Sequence, residues 1–294
     1  MSDFLLRGTG VALVTPFKKD ESIDWDALKT LVNHCVDGNL DYLVIQGTTG
    51  ESPAITPEEK ERMVDFIADL AAGKLPLVLG IGGNNTYHVE HMLQHTNLDR
   101  IDAVLSVCPY YNKPNQQGII NHYRRVADAS PKPIVLYNVP GRTGVNMSVD
   151  TQLTLANHPN IIATKEASGD LEQMMTIIQN KPDNFELISG DDSLTFPIMA
   201  IGGIGVTSVI AQLIPKNFSN MVNACLDGDF EKGRELHYKC LGLCRAIFAD
   251  GSPGGIKHLL AKIDICSTQL RMPLANVNQD TQELLDAEWA CFIP

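Results

Sequence analysis

The sequence predicts an α/β fold, a (β/α)8 barrel with a C-terminal helical extension. Short, nearly continuous apolar runs recur eight times along the chain, as strands buried on both faces of a parallel sheet do. A helical pattern or helix-like turn follows each run, which is the alternation that closes a barrel. The competing doubly wound sheet is weakened because no GxGxxG follows the first run. At 294 residues the chain has room for one such barrel and an appendage, since these barrels run to about 250 residues.

The expected strands are GVALVTP (10–16), YLVIQGT (42–48), PLVLGIG (76–82), AVLSVCP (103–109), PIVLYNV (133–139), IIATKEA (161–167), FELISGD (185–191) and IGVTSVI (204–210). Between them stand helix starts. Asp24 precedes WDALKTLVNHCV. Thr56-Pro57-Glu58-Glu59 offers an N-cap, a proline at the first position and a glutamate at the third. Thr86 precedes YHVEHMLQH, Ser148 precedes VDTQLTLAN, and Gly169-Asp170 opens LEQMMTIIQ. Past about residue 219 no strand is expected, only helices at 219–227, 230–248, 253–263 and 281–291. The barrel is therefore assigned to residues 1–225 and the helical extension to 226–294.

Composition narrows the function. A formal net charge of −12 disfavours nucleic-acid backbones and anionic membranes as partners, and no Lys/Arg block offsets it. No stretch approaches the ~18 apolar residues of a membrane span. The opening MSDFLLRGTG lacks a basic region followed by a long apolar run, so no signal peptide is expected and the cytoplasm is the expected compartment. The cysteines, at 35, 108, 225, 240, 244, 266 and 291, contain no CxxC pair and read as reduced thiols, mostly filling the core. Cys240 and Cys244 share a helix face but lack the partner motifs of a metal or redox site. His88, His91 and His95 share a helix face too, on the expected outer ring, where surface histidines are the stronger expectation than zinc. Asp191-Asp192 reads as a helix-capping loop rather than a magnesium site. No metal is expected.

In a (β/α)8 barrel, chemistry gathers where the strands end. Strand two is followed by Gly47-Thr48-Thr49-Gly50-Glu51, and strand four by Pro109-Tyr110-Tyr111-Asn112. Strand five runs into Tyr137-Asn138-Val139-Pro140-Gly141-Arg142-Thr143, strand six into Lys165-Glu166, and strand seven into Ser189-Gly190-Asp191-Asp192. A lysine at the end of an apolar strand needs a reason. Alternation along the strand turns Lys165 and Glu166 to opposite faces, so a pair between them is not expected. Two readings stay open: an ion pair with a carboxylate of another strand, or a nucleophile. A neutral lysine amine attacks a ketone to form a Schiff base, and burial disfavours the ammonium. The iminium withdraws electrons, so no metal is needed. A tyrosine can shuttle protons, paired threonines with backbone N–H groups can hold a carboxylate, and an arginine can hold a second one.

GTTGE (47–51), YYNKP (110–114), YNVPGRTG (137–144), KEASGD (165–170) and SGDD (189–192) resemble the signature segments of the dihydrodipicolinate synthase family. That family is one of the pyruvate-dependent class I aldolases of the N-acetylneuraminate lyase superfamily. The resemblance runs from about residue 7 to the C-terminus. It implies a TIM barrel, a homotetramer or homodimer, no cofactor beyond the covalent Schiff base with pyruvate, and the small-molecule substrates pyruvate and aspartate 4-semialdehyde, condensed in lysine and diaminopimelate biosynthesis. By motif, Lys165 resembles the Schiff-base lysine and Tyr137 the proton-relaying tyrosine. Thr48 resembles the hydroxyl linking Tyr137 to a second tyrosine, and Tyr111 that second tyrosine, which reaches into a neighbouring subunit. Thr49 looks like the clamp on pyruvate's carboxylate, and Arg142 like the holder of the semialdehyde's carboxylate. Gly190 and Thr207 match backbone positions lining the pyruvate pocket, with Thr207 replacing a frequent isoleucine. Arg142 and Thr48 favour the synthase over the neuraminate lyase and the 2-keto-3-deoxy sugar acid aldolases. The complete lysine, tyrosine and threonine set weighs against a catalytically inactive, sensor-like barrel. Lysine-inhibited members carry histidines and a glutamate where this chain has Pro57, Lys60 and His88, so weak or absent lysine feedback is expected.

Overall fold

The structure, a computed structural model, describes residues 6–71 and 73–293. The start of the chain, where no signal peptide is expected, lies outside the described residues up to position 5. The strands are β1 (Gly8–Ala12), β2 (Tyr42–Ile45), β3 (Leu77–Gly80), β4 (Ala103–Val107), β5 (Ile134–Asn138), β6 (Ile161–Glu166), β7 (Glu186–Ser189) and β8 (Gly205–Ser208). They pair in chain order, and β8 returns in parallel to β1 to close the barrel. Each is shorter than its apolar run because the last residues of the run leave the sheet as loops. The first strand departs most, at 8–12 rather than 10–16. Val14 N turns to the Gln212 side chain at 3.0 Å, and Pro16 has no N–H to offer a ladder.

Most helix starts follow local chemistry. Helix α1 (Trp25–Asp37) is capped by Asp24, which accepts from Ala27 N. Helix α2 (Pro57–Ala71) opens on a reciprocal capping box: Thr56 Oγ1 accepts from Glu59 N at 3.3 Å, and Glu59 Oε2 accepts from Thr56 N at 3.0 Å. Helix α3 (Thr86–His95) is capped by Asn85 instead of Thr86. Thr86 is its first helical residue and turns its hydroxyl to His122 Nδ1, 2.9 Å away. Helix α4 (Gln116–Ala129), capped by Asn115, had no start signal singled out in the sequence. A short turn, α5 (Pro140–Thr143), precedes α6 (Val149–Ala156) and α7 (Leu171–Asn180), capped by Ser148 and Asp170. Then come α8 (Thr195–Ala200) and α9 (Pro215–Leu226). Helix α9 starts four residues before the expected 219 because Pro215 sits at its first position, where a missing N–H does no harm. Helices α10 (Phe230–Ala246), α11 (Gly254–Lys262) and α12 (Gln279–Phe292) follow. Among the described residues no helix is long and apolar enough to cross a membrane.

Two apolar cores result. The larger lies between the strands and the helical ring. The smaller fills the barrel and includes Leu6, Tyr42, Val44, Val78, Leu105 and Ile188. Tyr42 lies from β2 over β1 toward β8, and a Cβ on Gly10 would come within 2.0 Å of its ring, so position 10 must be glycine. The Tyr42 hydroxyl donates to Val206 O at 2.9 Å. Below the mouth, the barrel is packed solid.

Candidate active site

The strand register brings Tyr137 of β5, Lys165 of β6 and Ile188 of β7 side by side. Tyr137 and Lys165 both face inward and are 8% and 5% exposed. Lys165 Nζ lies 4.3 Å from the centroid of the Tyr137 ring. Among the described residues no carboxylate comes within ion-pair distance of that amine. The next residue goes the other way. Glu166, the last residue of β6, is fully buried on the outer face of the barrel and forms no ion pair among the described residues. Its carboxylate accepts from Asn138 Nδ2 (3.0 and 3.1 Å), Gln152 Nε2 (2.8 Å), Gln173 Nε2 (3.0 Å) and Ser168 N (2.9 Å). A buried carboxylate is tolerable when N–H donors surround it. This one fastens the outer face of β6 to that of β5 one step beyond Lys165 and Tyr137.

Gly190 flanks the lysine. A Cβ there would sit 3.1 Å from Lys165 Cε and 2.8 Å from Ala167 Cβ. Thr207 is buried, and its hydroxyl is 2.9 Å from the Tyr42 hydroxyl in the barrel floor. That contact gives this threonine a side-chain partner that no sequence signal announced.

Thr48 is exposed and Thr49 is 5% exposed. Their segment is a tight turn, with Gly50 N donating to Gly47 O and Glu51 N to Thr48 O, each at 3.1 Å. Among the described residues the amides of Thr48 and Thr49 donate to no protein acceptor, which leaves them open toward an anion. The Thr48 hydroxyl has no hydrogen bond to Tyr137 or Tyr111 within the chain. Tyr111 points away into solvent, 87% exposed, with a left-handed backbone at φ 72°. Its N–H donates to Thr143 O, tying it to the turn that carries Arg142. Arg142 is exposed on α5 and forms no ion pair among the described residues.

Three connections around the mouth escaped the sequence reading. One is the Glu166 network. Another is Asp192, whose buried carboxylate accepts from Val209 N at 3.0 Å and Ile210 N at 2.8 Å, joining the β7 and β8 loops. Burial pushes its carboxyl up to about 6. Asp191 caps its own turn through Ser193 N at 2.9 Å. The third is an ion pair between Glu51 and Lys257, both side chains fully buried, at 2.6 Å. Its residues lie 206 positions apart, so no local pattern could have paired them. The histidines of α3 are exposed, and the rings of His91 and His95 stack at 4.0 Å. Among the described residues no group of three or more His, Cys, Asp or Glu is arranged to hold a metal.

A closed parallel barrel with an inward lysine, a tyrosine beside it and polar loops at the carboxyl ends of its strands has the layout of a (β/α)8 enzyme. The chain belongs to the dihydrodipicolinate synthetase family, whose sequence profile matches residues 5–289. It is 49% identical over 284 residues to a 4-hydroxy-tetrahydrodipicolinate synthase of Parabacteroides distasonis, covering 96% of each chain. It superposes on the crystal structure of dihydrodipicolinate synthase from Aquifex aeolicus with TM-score 0.92 and 38% identity, covering 96% of each chain. The corresponding enzyme of Cyanidioschyzon merolae, solved with lysine bound, matches with TM-score 0.94 and 35% identity over 98% of each chain.

Proposed function

We propose that this chain is a 4-hydroxy-tetrahydrodipicolinate synthase, condensing pyruvate with L-aspartate 4-semialdehyde in lysine biosynthesis. The observation that carries the reading is the inward amine of Lys165 over the Tyr137 ring, with no carboxylate to hold it. The neutral amine adds to the ketone carbon of pyruvate, water leaves, and an iminium forms. The carbon beside it then loses a proton, giving an enamine, with Tyr137 relaying that proton by passing on its own hydroxyl proton, which returns to the aldehyde oxygen as the new carbon–carbon bond forms. The enamine carbon attacks the aldehyde of the semialdehyde. The semialdehyde's own amine then closes on the iminium carbon and releases Lys165. One water is formed overall.

The other roles follow position. The Thr49 hydroxyl and the open amides of Thr48 and Thr49 take pyruvate's carboxylate, while Gly190 and Thr207 line its pocket. Arg142, at the rim, takes the carboxylate of the second substrate. The Thr48 hydroxyl links Tyr137 to Tyr111 of a neighbouring subunit, making a homodimer the smallest complete unit and a dimer of dimers its natural extension. The reaction needs no cofactor besides the lysine and belongs in the cytoplasm. Residues 226–294 serve the barrel as a supporting extension.

Reduction with borohydride tests the reading. Protein incubated with pyruvate and reduced should carry the added mass on Lys165 after digestion. An unlabelled Lys165 would overturn it. Turnover of aspartate semialdehyde against sugar-derived aldehydes then separates a synthase from a sugar-acid aldolase.

A further inference from the structure

Two residues that are not glycine adopt left-handed backbone on either side of the Thr48-Thr49 turn: Gln46 at φ 58° and Glu51 at φ 56°. Side chains there crowd their own backbone, so the conformation persists only where surrounding contacts impose it. Both residues are tied down. Gln46 Nε2 donates to Lys60 O of α2 at 2.7 Å. Glu51 receives Lys257 Nζ on one carboxylate oxygen at 2.6 Å and Arg271 N on the other at 3.0 Å. Lys257 also donates to Gln269 O at 2.8 Å and lies 4.5 Å from the Phe17 ring centroid. The Arg271 guanidinium makes paired bonds of 2.6 Å to Glu59 and another of 2.8 Å to Ala54 O.

We infer that Glu51 and Lys257 are positioning residues, and that through them the helical extension holds the Thr48-Thr49 turn ready for pyruvate's carboxylate. The inference rests on the proposed reading of the mouth. A buried ion pair adds little net stability over apolar packing, but it fixes geometry, because each charge accepts few alternatives. The Glu51 backbone N–H is bonded to Thr48 O, so any swing of Glu51 carries the turn with it. The amides left open at Thr48 and Thr49 are then aimed by a pair whose second member belongs to α11.

The test compares pyruvate dependence in the wild type, Lys257→Met, Glu51→Gln and Leu285→Ala, the last truncating a fully buried side chain of α12. Lys257→Met and Glu51→Gln should raise the KM for pyruvate by at least about tenfold while kcat stays within about threefold, the pattern of lost binding rather than lost chemistry. Borohydride at saturating pyruvate should still label Lys165 in both. Leu285→Ala should lower Tm and leave that KM unchanged. A pyruvate KM within about twofold of wild type in both loop variants, whatever their Tm, would overturn the inference. If neither variant folds, amide exchange in the wild type decides. Gly50 and Glu51 amides as protected as the strands before pyruvate is added support it, and fast exchange that slows only with pyruvate overturns it. Failure to trap pyruvate on Lys165 in the wild type would sink the catalytic reading instead, and the exchange result would still judge the tether.

Discussion

Lys165 can lie over Tyr137 because residue 190 has no side chain. Gly190→Ala would push a methyl to 3.1 Å from Lys165 Cε, 3.1 Å from Glu166 O and 2.8 Å from Ala167 Cβ. The variant is expected to fold and to form the borohydride-trapped adduct at least about tenfold more slowly, read by mass spectrometry against time; equal rates would contradict that role for the glycine. A second residue contributes to acid stability. His122 is buried, with Nδ1 near the Thr86 hydroxyl and Nε2 unpartnered, and burial pushes its imidazole down to about 4 from 6.5. The folded state then binds fewer protons than the unfolded one, so this contribution is whole above pH 6.5 and fades as pH falls toward 4. The His122 share of the loss is roughly 3 kcal/mol across that window, opposed by the raised carboxyl of Asp192, and His122→Asn should remove that share, leaving the variant's stability falling less than the wild type's as pH drops in a denaturant titration. Legibility differs residue by residue. Lys165 stood out because a charge interrupts an apolar run. Glu51 and Lys257 did not, because each alone reads as an ordinary polar residue of a loop and a helix.

Elements were legible where local chemistry decides them. The capping box of α2 and the caps Asp24, Ser148 and Asp170 were readable from residue type and spacing alone. The extent of β1 was not, because the ladder ends where Val14 finds a distant side chain. Helix α4 was missed as a named helix because Asn115 follows a proline-rich loop that masks its start. Elements also carry a regulatory expectation. Lys60 lies on α2 and His88 on α3, at positions where the family resemblance implies a histidine and a glutamate in lysine-inhibited members. A lysine ligand brings two ammonium groups, and a resident lysine opposes them. Steady-state assays should therefore show little inhibition by lysine in the sub-millimolar range. Half-inhibition there would contradict the expectation.

At the scale of the whole molecule, the barrel was legible because alternation of apolar runs with helices leaves few other closures. Assembly was not, since one chain carries no record of its neighbours. Tyr111 is exposed and held in left-handed backbone, and on the proposed reading its hydroxyl serves a neighbouring subunit. Tyr111→Phe and Lys165→Ala should each be nearly inactive, and mixing them should restore part of the activity once subunits exchange. No recovery after proven exchange would argue against a shared site. The filled barrel has one more consequence. With the Tyr42 ring packed over Gly10 and apolar side chains filling the barrel, the proposed reading brings both reactants to Lys165 from the rim where the strands end. On that reading the keto acid has to be parked on the lysine before the aldehyde arrives, and an aldehyde that comes first becomes the cork in its own bottle.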